Sequence, residues 1–132
     1  METFAVRTGQ RSEMVDITRE VAEIVRRSGI EHGHCVVFVP HTTAGVTINE
    51  HADPDVAADM IDVLDRIVPW NGPYRHTEGN TAAHVKASLT GASATIIVEN
   101  NSLRLGTWQG IFFCEYDGPR SRNVWVSFVA TP

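Results

Sequence analysis

From residue 94 onward the chain offers only strands and turns. The apolar run "ATIIV" is followed by "ENNS", whose two asparagines tolerate left-handed backbone; then come "LRLGTWQ", "IFFCEY", the turn "DGPR" and "NVWVSFV". Strands in unbroken succession exclude the strict βαβα alternation of a doubly wound fold. Ahead of them, "TFAVRT" alternates as a first strand. Asp16 or Thr18 caps a helix striped by Ile17, Val21, Ile24 and Val25, with Gly29 as its stop. "CVVFV" (35–39) is a continuous apolar run, read as a strand covered on both faces and ended by Pro40. After the turn "HTTAG", "VTINE" alternates as another strand.

The sharpest local signal is Asp53-Pro54-Asp55, a capping carboxylate ahead of a proline at the first helical position. Val56, Met60, Val63, Leu64 and Ile67 follow at helical spacing, and Pro69 stops the helix. A Pro/Gly-rich loop, "PWNGPYRHTEG", leads to Asn80, the expected cap of a third helix striped by Ala82, Val85 and Leu89 and ended by Gly91. The fold expected is α+β: mixed, largely antiparallel β-sheets packed with about three helices, in one domain over residues 1–132.

Composition narrows the function classes. With 42% apolar and 20% charged residues the chain has the make-up of a folded soluble protein, and 132 residues suffice for a real core. Its net charge of −5 argues against nucleic-acid binding, which needs many phosphate-neutralising Lys and Arg. No apolar run approaches the roughly 18 residues that span a bilayer. The N-terminus lacks a signal-peptide layout, so a cytoplasmic location without membrane contact is expected. Cys35 and Cys114 sit in separate apolar runs and read as buried free thiols.

Six histidines carry the first chemical hints. His41 follows the apolar strand, His76 lies in the Pro/Gly loop, and His84 lies off the stripe of the third helix, facing solvent or a site. Three imidazoles from three elements could bind a divalent transition metal, or stand as scattered polar groups. His32 and His34 read as solvated turn residues, and His51 lies beside a helix cap. Glu50 ends the "VTINE" strand, and Asp53 and Asp55 open the next helix, where capping explains them. Glu78 precedes the third helix. Glu115 shares a strand face with Ile111 and Phe113, and a carboxylate there needs a partner or a job. Arg120 and Arg122 either pair with Glu115 and Asp117 or hold a phosphate. In "LGTWQGI", Gly106 and Gly110 relax the backbone around Trp108 and Gln109. Trp108 suits stacking on a flat ring, with Gln109 reading its polar edge, or plugging a subunit interface.

Three stretches, "HTTAGVTINEHADPDV", "HTEGNTAAHVKASLTG" and "LRLGTWQGIFFCEYDGPRSRNVWV", resemble in order the YjbQ-type family, the secondary thiamine-phosphate synthases. The resemblance spans essentially the whole chain, and "GTWQ" followed by "E-x-DGPR" is its most specific part. Asn101 stands in a turn where glycine is expected in many relatives.

The resemblance implies a homotrimer with polar clefts between subunits. It implies that His41, His76 and His84 converge, with a Zn²⁺-like ion as their candidate ligand. It also marks Asn49, Glu50, Asp53, Glu78, Asn80, Trp108, Gln109, Glu115, Asp117, Arg120 and Arg122 as site residues. The implied reaction joins an aminopyrimidine methyl diphosphate to a thiazole phosphate and releases pyrophosphate, as a secondary activity. On that reading Glu50, Glu115 and Asp117 are the catalytic candidates. Mg²⁺ or arginines absorb the leaving charge, with Arg120 and Arg122 as the phosphate clamp; Asn49, Asn80, Trp108 and Gln109 contact substrate. The alternatives are a trimeric metal- or phosphometabolite-binding protein without turnover, or a metal-assisted phosphohydrolase.

Overall fold

A computed structural model describes residues 1–132. In chain order the elements are β1 (Glu2–Arg7), β2 (Glu13–Asp16), α1 (Thr18–Ser28), β3 (His32–Phe38), β4 (Ala44–Glu50), α2 (Pro54–Ile67), α3 (Thr81–Thr90), β5 (Ser93–Glu99), β6 (Ser102–Leu103), β7 (Gln109–Glu115) and β8 (Ser121–Ala130). Every strand pairing is antiparallel. Five strands form one sheet in the order β1-β8-β3-β5-β6, and three form a second in the order β2-β7-β4. The α+β expectation holds, with two separate antiparallel sheets and three helices.

Period-two alternation sends one face of each sheet inward. Val37, Val124, Val126 and Ile96 of the larger sheet meet Val46, Ile111 and Phe113 of the smaller one. Helix α1 closes this core with the residues its sequence stripe names, Ile17, Val21, Ile24 and Val25, all buried. Asp16 anchors its start by accepting from the N–H (2.9 Å) and hydroxyl (2.6 Å) of Thr18. Gly29 ends it in the left-handed region at φ 73°. Both cysteines are buried and free, and Asn100 and Asn101 take positive φ in the turn after β5.

Helices α2 and α3 lie on the other face of the smaller sheet, against Phe112, Cys114 and Tyr116. Helix α3 buries Ala82, Ala83, Lys86 and Ala87, while Val85 and Leu89 of the expected stripe are exposed. Small alanines let the helix approach the sheet closely, and the Lys86 ammonium is neutralised by Asp65 of α2. Asn80 does not cap α3 with its side chain. Asp53 does cap α2, its Oδ1 accepting from Asp55 N–H at 2.9 Å with Pro54 in the first turn. None of the apolar residues of α2 is fully buried.

Three strand readings also change. β3 alternates instead of being covered on both faces: Cys35 and Val37 point inward, His34 and Phe38 outward. His32 and His34 are exposed, as expected, but on that strand. The segment "LRLGTWQ" is mostly loop, with strand resuming at Gln109, and β2 has no counterpart in the sequence reading.

Candidate functional site

The register of β4 on β7 fixes which residues can meet. Ala44 stands opposite Glu115 at one end of the pair, and Glu50 opposite Gln109 at the other. Six residue steps of about 3.3 Å put these ends roughly 20 Å apart. At the Ala44–Glu115 end, the segment after β3, the loop before α3 and the turn between β7 and β8 enclose a polar cleft of about 620 Å³.

Beneath the cleft lies a closed ion pair. Glu115 follows Ile111 and Phe113 on the core face of β7 and is fully buried. Arg122, on β8, donates Nε–H to Glu115 Oε1 at 2.9 Å, and its NH2 group donates to Glu115 Oε2 and to Thr43 Oγ1 (2.9 Å). The Thr8 hydroxyl donates to Glu115 Oε1 at 2.8 Å, and Asp117 N–H to Oε2 at 3.0 Å. Burial alone would raise the Glu115 pKa, but the Arg122 guanidinium, the Asp117 N–H and the Thr8 hydroxyl together hold it below the usual carboxylate value. The alternative left open by the sequence resolves toward pairing for Glu115, which has no idle oxygen for catalysis; Arg122 is anchored by that pair, yet its second terminal nitrogen has no protein partner and the residue also lines the cleft. Gly118, in the same turn, has to be glycine. A Cβ there would lie 2.3 Å from Gln10 O and 2.8 Å from Glu115 Cγ.

The cleft wall is less self-contained. Arg120 is half-exposed; its Nε–H donates to Asp117 O (2.7 Å) and its NH2 group to Asp117 Oδ2 (2.9 Å). That anchoring leaves the second terminal nitrogen of the guanidinium without a protein partner. Asn80 donates Nδ2–H to the same Asp117 Oδ2 at 2.9 Å, while its buried Oδ1 has no partner. A buried orphan acceptor costs about 1–3 kcal/mol. His41, His76, His84 and Glu78 also line the cleft. The rings of His76 and His84 meet edge to face with centroids 5.5 Å apart. His76 Nε2 is 3.9 Å from Glu78 Oε2, a weak exposed contact. His41 is pinned by Asn123, whose backbone N–H donates to Nε2 at 2.9 Å; burial and the nearby Arg122 guanidinium hold its pKa below the ordinary value.

A resident metal fits these residues poorly. Nowhere in the chain do three or more His, Cys, Asp or Glu side chains gather so as to hold an ion. The lone pair of His41 Nε2 is already covered by the Asn123 N–H. The three expected ligands therefore share a cleft without forming a metal site.

The remaining candidates lie at the other end of β4 and β7. Trp108 is 63% exposed. Gln109 folds back so that its Oε1 accepts from Gly106 N–H at 2.8 Å. Asn49 Oδ1 accepts from Glu50 N–H (2.8 Å), and Glu50 faces Gln109 across the strand pair. Asp53 is occupied in capping α2. One chain therefore does not bring Asn49, Glu50, Asp53, Trp108 or Gln109 to the histidine cleft. Thr8 and Thr43, which hold the buried pair, carry only a faint sequence signal, a hydroxyl beside a loop or strand end that holds other candidates, "VRT" and "HTT".

An apolar groove of about 490 Å³ lies apart from the cleft, between α2, α3 and the smaller sheet, lined among others by Met60, Val63, Leu64 and Leu89. No helix is long and apolar enough to cross a membrane.

The model of the family described as "UPF0047 protein YjbQ-like" matches residues 2–131. The UPF0047 protein YugU of Bacillus subtilis is 52% identical over 130 residues, covering 98% of each chain. A UPF0047 protein of Methanocaldococcus jannaschii is 48% identical over 126 residues, covering 96% of this chain and 91% of that one. Among solved structures, an uncharacterized YjbQ/UPF0047-family protein of Clostridium acetobutylicum is 51% identical with a TM-score of 0.96, covering 98% of this chain and all of that one. A conserved hypothetical protein of Thermus thermophilus is 42% identical with a TM-score of 0.91, covering 98% of this chain and 100% of that one. Sequence and fold agree over nearly every residue, and the chain belongs to the UPF0047, YjbQ-like family.

Proposed function

We propose that the polar cleft binds a phosphorylated small molecule and carries group transfer of the thiamine-phosphate synthase type, in the cytoplasm. The observation that carries this reading is Arg120, whose guanidinium is fixed by Asp117 yet keeps N–H groups free at the cleft. In the reaction, the bond between the pyrimidine methylene carbon and the diphosphate oxygen breaks, and its electron pair leaves with the diphosphate. The thiazole ring nitrogen then forms the new C–N bond with its own lone pair, so no general base is required. That agrees with a cleft whose buried carboxylate is fully spent. Prepositioned donors such as Arg120 act on the charge that develops on the leaving oxygen.

Pyrophosphate release from the two substrates by purified protein, at least tenfold lower in Arg120→Ala, tests this. No turnover above background would sink the synthase reading. The free N–H groups of Arg120 serve equally a second reading, capture of a phosphorylated metabolite without turnover. Tight substrate binding with no pyrophosphate released would select it.

We also propose that the chain works as the homotrimer its resemblance implies. The open apolar residues of α2 and α3 support self-association: Val63, Ile67 and Leu89 are 44%, 64% and 61% exposed. In such an assembly the Glu50–Trp108–Gln109 edge of one copy would close the cleft of the next, and residues far apart in one chain would share a site.

A further inference from the structure

A single backbone donor decides what His41 can do. The Asn123 N–H points at Nε2 from 2.9 Å. A backbone amide nitrogen only donates, so Nε2 must present its lone pair to it. The one N–H proton of the neutral ring then sits on Nδ1. Nδ1 has no protein partner, and His41 lines the cleft with Arg120, Asn80 and His84. Metal-binding histidines normally show the opposite polarity: the nitrogen that does not ligate donates its N–H to a carboxylate, carbonyl or water behind it. Here a donor stands behind the ring, and both routes to a metal are closed, Nε2 by Asn123 and Nδ1 by its own proton.

We infer that His41 donates a hydrogen bond through Nδ1–H to an oxyanion of the ligand and takes no part in metal ligation. This rests on the reading of the cleft as a site for a phosphorylated molecule and assigns that site a specificity residue. Nδ1–H favours a ligand that offers an acceptor oxygen there, as a phosphate ester or diphosphate does. It disfavours one that offers an ammonium or a second N–H, because two donors would meet. It gives the cleft a second donating contact point beside Arg120.

Two substitutions separate the ring nitrogens. In His41→Asn the amide nitrogen stands near the position of Nδ1, so the donor to the ligand survives. In His41→Gln the amide oxygen reaches the position of Nε2, so the acceptor for Asn123 survives and the ligand donor is lost. Titrated with inorganic pyrophosphate, His41→Gln should bind about tenfold more weakly than wild type, and His41→Asn within about threefold of it. Nitrogen NMR of the unliganded wild-type protein should show the Nδ1–H tautomer. Zinc uptake should be the same in wild type and both variants. An Nε2–H tautomer, or zinc uptake lost in both variants, overturns the inference. Equal pyrophosphate affinity in wild type and His41→Gln overturns the role of His41 alone and leaves the anion reading of the cleft standing. A wild-type protein indifferent to pyrophosphate ends that reading and the ligand role of His41 with it.

Discussion

Arg122 meets Glu115 with two guanidinium nitrogens, and the pair is buried, Arg122 being 5% exposed and Glu115 fully buried. The carboxylate also holds Thr8 of the segment after β1 and the backbone of Asp117, so one ion pair ties β8, β7 and the N-terminal strand together. Replacing such a pair with apolar residues can be nearly neutral, but removing one partner strands a buried charge. Glu115→Gln should therefore cost about 3–5 kcal/mol in urea unfolding. A loss below about 1 kcal/mol, the range of an exposed pair, would show that the charge is not buried as described.

The same groups set the response to acid. Glu115 has a lowered carboxylate pKa in the fold, and so does Asp16: burial would raise it, but the Thr18 hydroxyl and N–H and the His51 ring outweigh that. A lowered carboxylate pKa contributes stability that is complete above the unfolded value and lost as pH falls through the folded one. His41 acts in the same direction. Its pKa is lowered from 6.5, so below about 6.5 the unfolded chain takes up the proton first and stability falls until the folded value is passed. Urea midpoints should decline in two stages on acidification, one starting near pH 6.5 and a second below about pH 4.5. His41→Gln should lack the first stage. An unchanged midpoint between pH 7.5 and 5.5 in wild type would contradict the surroundings assigned to His41.

Much of this arrangement was legible in the sequence, and the limits have physical causes. The stripe of α1 was readable because Ile17, Val21, Ile24 and Val25 are large and leave no other apolar face. The face of α3 was not, because hydropathy ranks Val85 and Leu89 above Ala83 and Lys86, whereas close approach to Phe112 and Tyr116 selects small residues and a paired lysine. Asp53 showed its role through the proline beside it. The address of Glu115 followed from period two, but its partner did not, since pairing with Arg122 requires the β7–β8 turn and Thr43 to converge. Register was the largest gap. Nothing local in "VTINE" or "GTWQ" says that Glu50 faces Gln109 at one end while Ala44 faces Glu115 at the other, and that spacing divides the candidate residues into two groups.

Arg120 separates binding from stability. Its ion pair with Asp117 is half-exposed on the arginine side, and exposed pairs contribute about 0–1 kcal/mol. Arg120→Ala should therefore unfold within about 1 kcal/mol of wild type yet bind pyrophosphate at least tenfold more weakly. Arg120→Lys should restore little, because an ammonium cannot hold Asp117 and a phosphoryl oxygen at once with fixed geometry. Calorimetric titration beside a urea series checks both halves. Full pyrophosphate affinity in Arg120→Ala would place the anion elsewhere.

Self-association makes the most demanding prediction, because it links the apolar helices to the divided site. Leu89 and Ile67 are 61% and 64% exposed on α3 and α2, and neither packs in the core of the chain, so a charge at either position costs the single subunit little. If copies cover these residues, Leu89→Glu buries a carboxylate in an apolar contact and should shift sedimentation at micromolar concentration from trimer to monomer, with far-ultraviolet circular dichroism unchanged. Trp108, exposed beside Gln109, supplies the second readout. Its fluorescence should be shielded from iodide in the wild-type assembly and become quenchable in Leu89→Glu if that edge of the chain closes a neighbouring cleft. A wild-type monomer at these concentrations would remove the only means by which Glu50, Trp108 and Gln109 could reach the ligand of the histidine cleft. The site would then consist of His41, Asn80, Arg120 and their neighbours alone.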